Sequence, residues 1–308
     1  MALQTLSTLD PDRLENGTGE EDLERRPRKR RKRRSKLQWL GIVGGALLCA
    51  LLLIVAIAVG VMMFLTRNTS SPYKIGQALE QFRQLQRRDD SASKLSGGLP
   101  TTGVYTYSTS GAESASAPGL PTNTQGYPGT TTMTVFYDRC GQDWRWQPLS
   151  NRYEDLVVCR SSGGAIALQS RFDTEEFYGA TDRRNFVCTA GSVLLPAGAQ
   201  PGETVSGTCT NSGNSNSGGL SISYTGQVVA DDVLRVGGVE IPTTHLLLNE
   251  KMTGDTVGTG TESLWLESDT GLPVKEYRTE NTRSESAVGW VPSSETFSLE
   301  LMSATPKR

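Results

Sequence analysis

The sequence predicts a mainly β protein: an antiparallel curved sheet, half-barrel or sandwich-like, preceded by one transmembrane helix and one amphipathic helix. Three observations carry this. Residues 39–65 contain no charged residue. Ile75, Leu79, Phe82 and Leu85 recur at helical spacing. From Val104 onward the apolar period changes to two and stays there.

The first segment is a tail over 1–36. Residues 1–24 are polar and acidic, with little to bury, and are expected to be disordered. Ten of the twelve residues in RRPRKRRKRRSK (25–36) are basic. The apolar run WLGIVGGALLCALLLIVAIAVGVMMFL follows. As a helix it extends roughly 40 Å, enough to cross a hydrocarbon core about 30 Å thick. Only Arg67 and Lys74 follow closely on its other side. Positive charge stays in the cytoplasm, so the reading is a single-pass plasma-membrane protein. Its transmembrane helix lies at 37–66, its N-terminus is cytoplasmic and its C-terminal part is extracytoplasmic. A cleaved signal peptide competes, but its apolar region runs about 7–15 residues and ends at a small-residue site. This run is longer, and MFLTRNTSSP has no A-x-A pattern. Arg25–Arg26 raise a twin-arginine signal; the many further basic residues and the acidic stretch before them argue against it. Cys49 sits in LLCA, without the small residue that precedes a lipidated cysteine. It reads as a small apolar residue in the helix.

Charge divides at the membrane. Residues 1–67 carry 12 basic and 7 acidic side chains, net +5; the whole chain is −2, so the remainder is −7. An acidic outer part excludes nucleic-acid binding, which needs a basic surface. The basic tail is expected to meet anionic lipid headgroups instead, at about 1 kcal/mol per Lys or Arg.

Residues 67–102 hold a juxtamembrane amphipathic helix and a linker. The helix is expected over 72–88, with Ser71 as cap and Pro72 in the first turn. DDSASKLSGGLPTT (89–102) reads as linker. The β domain occupies 103–308. Met133, Val135 and Tyr137 alternate with Thr132, Thr134 and Phe136; Trp144 and Trp146 flank Arg145. Ile166, Leu168 and Phe172 fall on one face, as do Leu220, Ile222, Tyr224 and Val228, and Phe297, Leu299 and Leu301. Such runs amount to about ten strands, with turns such as SDTGLP (268–273) suited to hairpins. Pro242 within VEIPTTHLLL marks an edge or bulge. Cys140, Cys159, Cys188 and Cys209 lie outside the membrane, an even number in an exported domain, and are read as disulfides. Of the three pairings, Cys140–Cys159 and Cys188–Cys209 are favoured, each closing a short loop between adjoining strand patterns.

The catalytic inventory is thin. His245 is the one histidine, in a strand-like run, without a G-x-S-x-G motif to make a triad. The cysteine spacings lack the close pairs of a zinc site, and no Gly-rich phosphate loop appears. No catalytic, metal or cofactor-binding residue is assigned, no cofactor is expected, and the protein reads as a non-enzyme. Glu175–Glu176 and Asp231–Asp232 are adjacent pairs whose members face opposite sides of a strand, and read as solvated charges. Trp144, Trp146 and Trp265 are the candidate ligand cleft; core and cross-strand packing is the competing reading for all three.

ESLWLESDTGLPVKEYRTE (262–280) carries a W-L-x-x-x-T-G-L-P-V-K pattern. It resembles the late hairpin of the LolA/LppX superfamily of extracytoplasmic carriers, and the chain's style resembles membrane-anchored envelope proteins of high-GC Gram-positive bacteria. The resemblance implies a half-barrel with helices over its concave face and binding of lipid or a lipoprotein moiety. It supplies no catalytic residue. A membrane anchor and a cysteine-bearing middle depart from that family's pattern. The expected function is a non-catalytic tethered envelope protein binding lipid or a lipidated partner. Its alternatives are a signalling or assembly protein that binds another envelope protein, and a carboxylate-dependent hydrolase of cell-wall glycan.

Overall fold

The computed structural model describes residues 36–65, 70–86, 98–138, 140–211, 219–286 and 289–308. The tail expected over 1–36, apart from Lys36, and the linker before Gly98 lie outside the described residues. The chain divides into two units, one up to Ala56 and one from Ile57.

Helix α1 (Lys36–Leu65) is 30 residues long and nearly coincides with the expected membrane segment. Its side chains are described over 48–63 and are exposed there. That stretch falls short of 18 residues, and among the described residues no helix is long and apolar enough to cross a membrane.

Helix α2 (Ile75–Gln86) begins three residues later than the Ser71–Pro72 signal predicts. The reason is a competing pairing. Tyr73 N–H donates to the Pro148 carbonyl (3.1 Å) and Ser150 N–H to the Ser71 carbonyl (2.8 Å). These bonds hold residues 71–73 extended. Lys74 then becomes the cap residue, its N–H donating to Gln77 Oε1 at 2.9 Å, the reciprocal half of a capping box. Phe82 is buried against Val104, as the helical periodicity predicts, with Ala78 beside it and Ile75 and Leu79 half-buried at the edge.

Fourteen strands follow: β1 (Gly103–Ala115), β2 (Asn123–Gly126), β3 (Thr130–Asp138), β4 (Gly141–Leu149), β5 (Arg152–Arg160), β6 (Ile166–Phe177), β7 (Ala180–Cys188), β8 (Val193–Leu195), β9 (Thr204–Asn211), β10 (Ser221–Val236), β11 (Val239–Thr253), β12 (Thr256–Glu267), β13 (Pro273–Ser286) and β14 (Gly289–Leu301). All described pairings are antiparallel. The predicted half-barrel or sandwich is corrected here. β14 pairs with β1 from Tyr107↔Leu301 to Ala115↔Ser293, which joins the two ends of the sheet. Twelve strands form the closed barrel, while β2 and β8 pair outside the ring on β1 and β6. Period-two alternation is a local signal and is identical in open and closed sheets, so closure is invisible to it.

Inward residues build the core: Tyr105, Tyr107, Met133, Val135, Trp144, Trp146, Ile222, Leu246, Leu264 and Phe297 among them. Phe172 departs from its predicted face. Val157 pairs with Ser170 and Val158 with Leu168, so a bulge at Gln169 shifts the phase of β6. Ile166 and Leu168 stay inside, whereas Phe172 turns out and stacks on Tyr153 at 5.5 Å. Pro242 pairs with Val233 but lies just beyond the β12 register, which ends at Thr243↔Glu267. Its missing N–H therefore costs no ladder bond there.

Both favoured disulfides form, Cys140–Cys159 and Cys188–Cys209. Cys188 and Cys209 are direct cross-strand partners of β7 and β9. Disulfides of this kind fit an oxidising, extracytoplasmic compartment. The β12–β13 hairpin over 268–272 is also as expected. Its turn closes through Gly271 N–H to the Glu267 carbonyl (2.7 Å), with Gly271 at φ 79°.

Candidate functional site

The barrel has two unlike ends. The β4–β5, β6–β7 and β11–β12 turns lie at one end, called the mouth here; the β12–β13 turn lies at the other, the base. At the mouth end Ser71 and Pro72 pair with Leu149–Ser150.

Toward the base the lumen is filled with apolar and aromatic side chains. Trp144 and Trp146 both point inward from β4, as their shared phase predicts. Trp146 packs 4.5 Å from Phe297 and edge-on to Tyr127 at 5.4 Å. Tyr107 reaches past β14 and donates to the Pro273 carbonyl of β13 at 2.8 Å. Trp144 and Trp146 line one cavity together with Leu156, Leu248, Glu262 and Glu276. The space is about 60 Å³, room for a handful of waters at about 10–15 Å³ each.

Trp265 is not with them. It faces outward from β12, parallel to His245 at 3.9 Å, with its indole N–H donating to Asp232 Oδ2 at 2.9 Å. The three candidate tryptophans thus divide two and one between the barrel's faces. His245 is a half-buried sheet histidine. Its Nδ1 lies 4.0 Å from Asp232, and burial lowers its pKa against the pull of that carboxylate. Asp231 and Asp232 show no convergence on a second carboxylate.

Above the apolar layer the lumen is ionic. Arg278 reaches Glu280 (2.9 Å), Glu154 (3.1 Å) and Glu250 (3.3 Å). Arg171 holds Glu154 (2.9 Å), Glu250 (3.1 Å) and Asp173 (3.2 Å). Arg152 meets Glu113 and Glu295, each at 3.2 Å. Arg184 meets Glu175 at 3.0 Å. Glu175 is therefore an inward, ion-paired residue, and its reading as a solvated charge is corrected. A twelve-strand ring is wider than the eight strands that ordinary apolar side chains fill. Long Arg and Glu side chains bridge the remaining width.

These four arginines face nine carboxyls inside the barrel, Glu113, Glu154, Asp173, Glu175, Glu250, Glu262, Glu276, Glu280 and Glu295, and Arg184 also reaches the half-exposed Asp182 at the mouth (3.5 Å). The excess is five acids, and five of the carboxyls bind their protons more tightly than usual. Burial pushes Glu113 up to about 8 against the opposing Arg152. Burial likewise takes Glu262 up to about 7 against the pull of Arg278. Glu276 rises well above the carboxylate range through burial and the neighbouring Glu262. Burial raises Glu175 and Glu280 against Arg184 and Arg278. In the other direction, burial disfavours the Asp173 carboxylate, but Arg171 and Arg184 outweigh it and hold the group at about 2. Arg171 and Arg278 do the same for Glu250, and Arg152 for Glu295.

The mouth opens into a groove of about 790 Å³, within the range of about 300–1,000 Å³ typical of ligand pockets. Leu120, Phe177, Tyr178 and Val291 supply its apolar wall, with Ala115, Ala117 and Ala180. Tyr178 organises one side. It sits at φ 55° beside Gly179 at 73°, a two-residue hairpin turn with both residues left-handed. A left-handed Tyr costs about 1–2 kcal/mol. Hydrogen bonds to the β1–β2 loop and its flanking strand ends fix it there. The hydroxyl accepts from Ala117 N–H (3.3 Å) and Asn123 N–H (3.2 Å) and faces the carbonyls of Pro121 (2.7 Å) and Ala115 (2.8 Å).

The lumen charges and the groove were missed in the sequence, although a signal was present. Arg171, Asp173 and Glu175 recur at period two, as do Glu276, Arg278 and Glu280. The β13 row is in phase with the buried Val274, whereas the bulge at Gln169 puts the β6 row out of phase with Ile166 and Leu168, so only the β13 row could be read as inward. Among the described residues no group of acidic, histidine or cysteine side chains is placed to hold a metal ion.

No protein-family model matches this chain, and no curated protein matches its sequence. Among solved structures, the crystal structure of the hypothetical lipoprotein YmcC from Escherichia coli (K12) is similar at 12% identity, covering 77% of this chain and 100% of that chain, with a TM-score of 0.30.

Proposed function

We propose that this is a non-catalytic, membrane-tethered envelope protein that binds a lipid, or the acyl chain of a lipidated partner, in the mouth groove. The carrying observation is the contrast in size between the groove, about 790 Å³, and the cavity around Trp144 and Trp146, about 60 Å³. The reading moves the binding site from the tryptophan cleft to the mouth. The apolar run of α1 and the basic block before it support the tether, with the N-terminus cytoplasmic and the barrel outside. The late-hairpin resemblance supports a lipidic ligand. Glu262 and Glu276 are a neighbouring carboxyl pair, but they face the 60 Å³ cavity, which leaves no room for a glycan.

The test is to purify the full-length chain, extract it with organic solvent and examine the extract by mass spectrometry. A lipid species retained by the wild type and lost from A180W, which fills the groove, is expected. Identical extracts from the two proteins sink the lipid reading. Protease added to intact cells is expected to remove residues after 70 and spare the basic tail; protection of the C-terminal part overturns the tether. A second reading, capture of another envelope protein at the mouth, draws on the side-chain-filled lumen, which leaves no deep tunnel for a long chain. An empty extract together with a co-purifying protein lost in A180W favours it.

A further inference from the structure

We infer that the mouth groove selects amphiphiles whose polar end is cationic, an ammonium or guanidinium group on an apolar tail. This rests on the reading of the groove as the binding site and adds the charge of its ligand. The charged side chains lining the groove are Glu175, Asp182, Asp255, Glu285 and Arg183, four acids to one base; Arg184 behind them pairs with Glu175 and Asp182, which leaves Asp255 and Glu285 as the acids of the rim. Among the described residues no ion pair reaches Asp255 or Glu285. The acidic rim is not the only observation. Glu113 sits two residues along the inward face of β1 from Ala115, which lines the groove. Its residue is only 3% exposed. Its Oε1 has no hydrogen-bond partner among the described residues, and it lines the small space beneath the groove floor that shares Glu175, Phe177 and Ser293 with the mouth. Its other oxygen pairs with Arg152 at 3.2 Å; a buried carboxyl oxygen without a partner is costly, and a cationic N–H donor entering from the mouth satisfies it.

The full-length protein, reconstituted in phosphatidylcholine nanodiscs, is titrated by calorimetry at low salt with three probes of one tail length: octylammonium, octanol and octanoate. Empty nanodiscs provide the partition blank. Octylammonium is expected to saturate one site at least about tenfold more tightly than octanol, with octanoate weakest. In D255N/E285Q, two surface changes outside the ionic layer, the advantage of octylammonium over octanol is expected to shrink by about tenfold while octanol binding is unchanged. In E113Q the same loss is expected, read against that variant's own octanol binding as its control for folding. Equal binding of octylammonium and octanol, or tighter octanoate, overturns the charge preference and leaves the groove standing. Failure of all three probes to saturate overturns both.

Discussion

The two halves of the lumen are built from the same strands and solve the same problem with opposite materials. Near the base, Trp144, Trp146, Phe297 and Leu264 fill the space by contact. Toward the mouth, Arg152, Arg171 and Arg278 fill it with ion pairs to carboxylates on several strands. Apolar filling stabilises by removing surface from water and is indifferent to pH. Ionic filling must offset several kcal/mol of desolvation per charge, and does so only while every partner is in place. The difference teaches that the base is the anchor of the fold, while the mouth half is held in a polar state that a pure stability requirement does not demand.

The comparison is sharpest in two substitutions expected to be equally damaging at neutral pH. W144A should lose about 3–5 kcal/mol through a cavity in the apolar half. R278M should lose about 3–5 kcal/mol by stranding Glu280 and leaving Glu154 and Glu250 with Arg171 alone in the middle of the lumen. Denaturant unfolding at pH 7 and pH 5 separates them. The W144A loss is expected to be the same at both, whereas the R278M loss shrinks at pH 5 as Glu280 and Glu250, without their arginine, take protons. Equal pH behaviour of the two variants breaks the comparison.

Next in size is the Cys188–Cys209 bridge, whose sequence separation is 21. C188S/C209S should lose about 3 kcal/mol on the loop-entropy account, without altering the pH dependence of stability.

The wild-type pH profile isolates the ionic half. Glu113 and Glu262 are raised to about 8 and about 7 in the folded state, so the folded protein binds more protons than the unfolded chain above the ordinary carboxylate range. Stability present at low pH is therefore lost as pH rises through these values. Asp173, held at about 2, has the opposite sign: its contribution is present above its ordinary value of 3.8 and is lost on further acidification. The thermal midpoint should peak near about pH 5 and fall toward pH 8, and E113Q/E262Q should flatten that fall. A midpoint that rises from pH 5 to 8 contradicts the assigned directions.

The smallest effect is expected where the same chemistry stands outside the barrel. Lys275–Glu300 is an ion pair at 2.7 Å between half-exposed and exposed side chains. K275A should cost under about 1 kcal/mol and respond to salt, unlike the lumen pairs.

Much of the apolar half was legible in the sequence, because its residues alternate with polar ones at period two: Met133 with Thr134, Ile222 with Ser223, Phe297 with Ser298. The disulfides were legible for the same local reason. The ionic half was not. An alternation rule that sorts charge outward assigns Glu175 to solvent, and nothing within β6 reveals that Arg184 waits on the next strand. Phe172 was misplaced because a single-residue bulge leaves no compositional mark. The groove was hidden because its walls come from the β1–β2 loop, the β6–β7 turn and β14, which only ring closure brings together. Tyr178 illustrates the limit: Tyr-Gly as a hairpin turn reads as a poor choice until the β1–β2 loop supplies partners for its hydroxyl.

The β1–β14 seam also sets an order of events in biogenesis. Tyr107 cannot find Leu301 until nearly the whole barrel sequence has been synthesised. Chains emerge N-terminal end first, so β1 spends the interval with one edge unpaired, the kind of edge that recruits foreign strands. Closure across so long a stretch is slow by the usual dependence on contact separation. The barrel therefore matures as a single late event, and a chain interrupted before residue 289 leaves a sheet with two open margins where the finished ring has none.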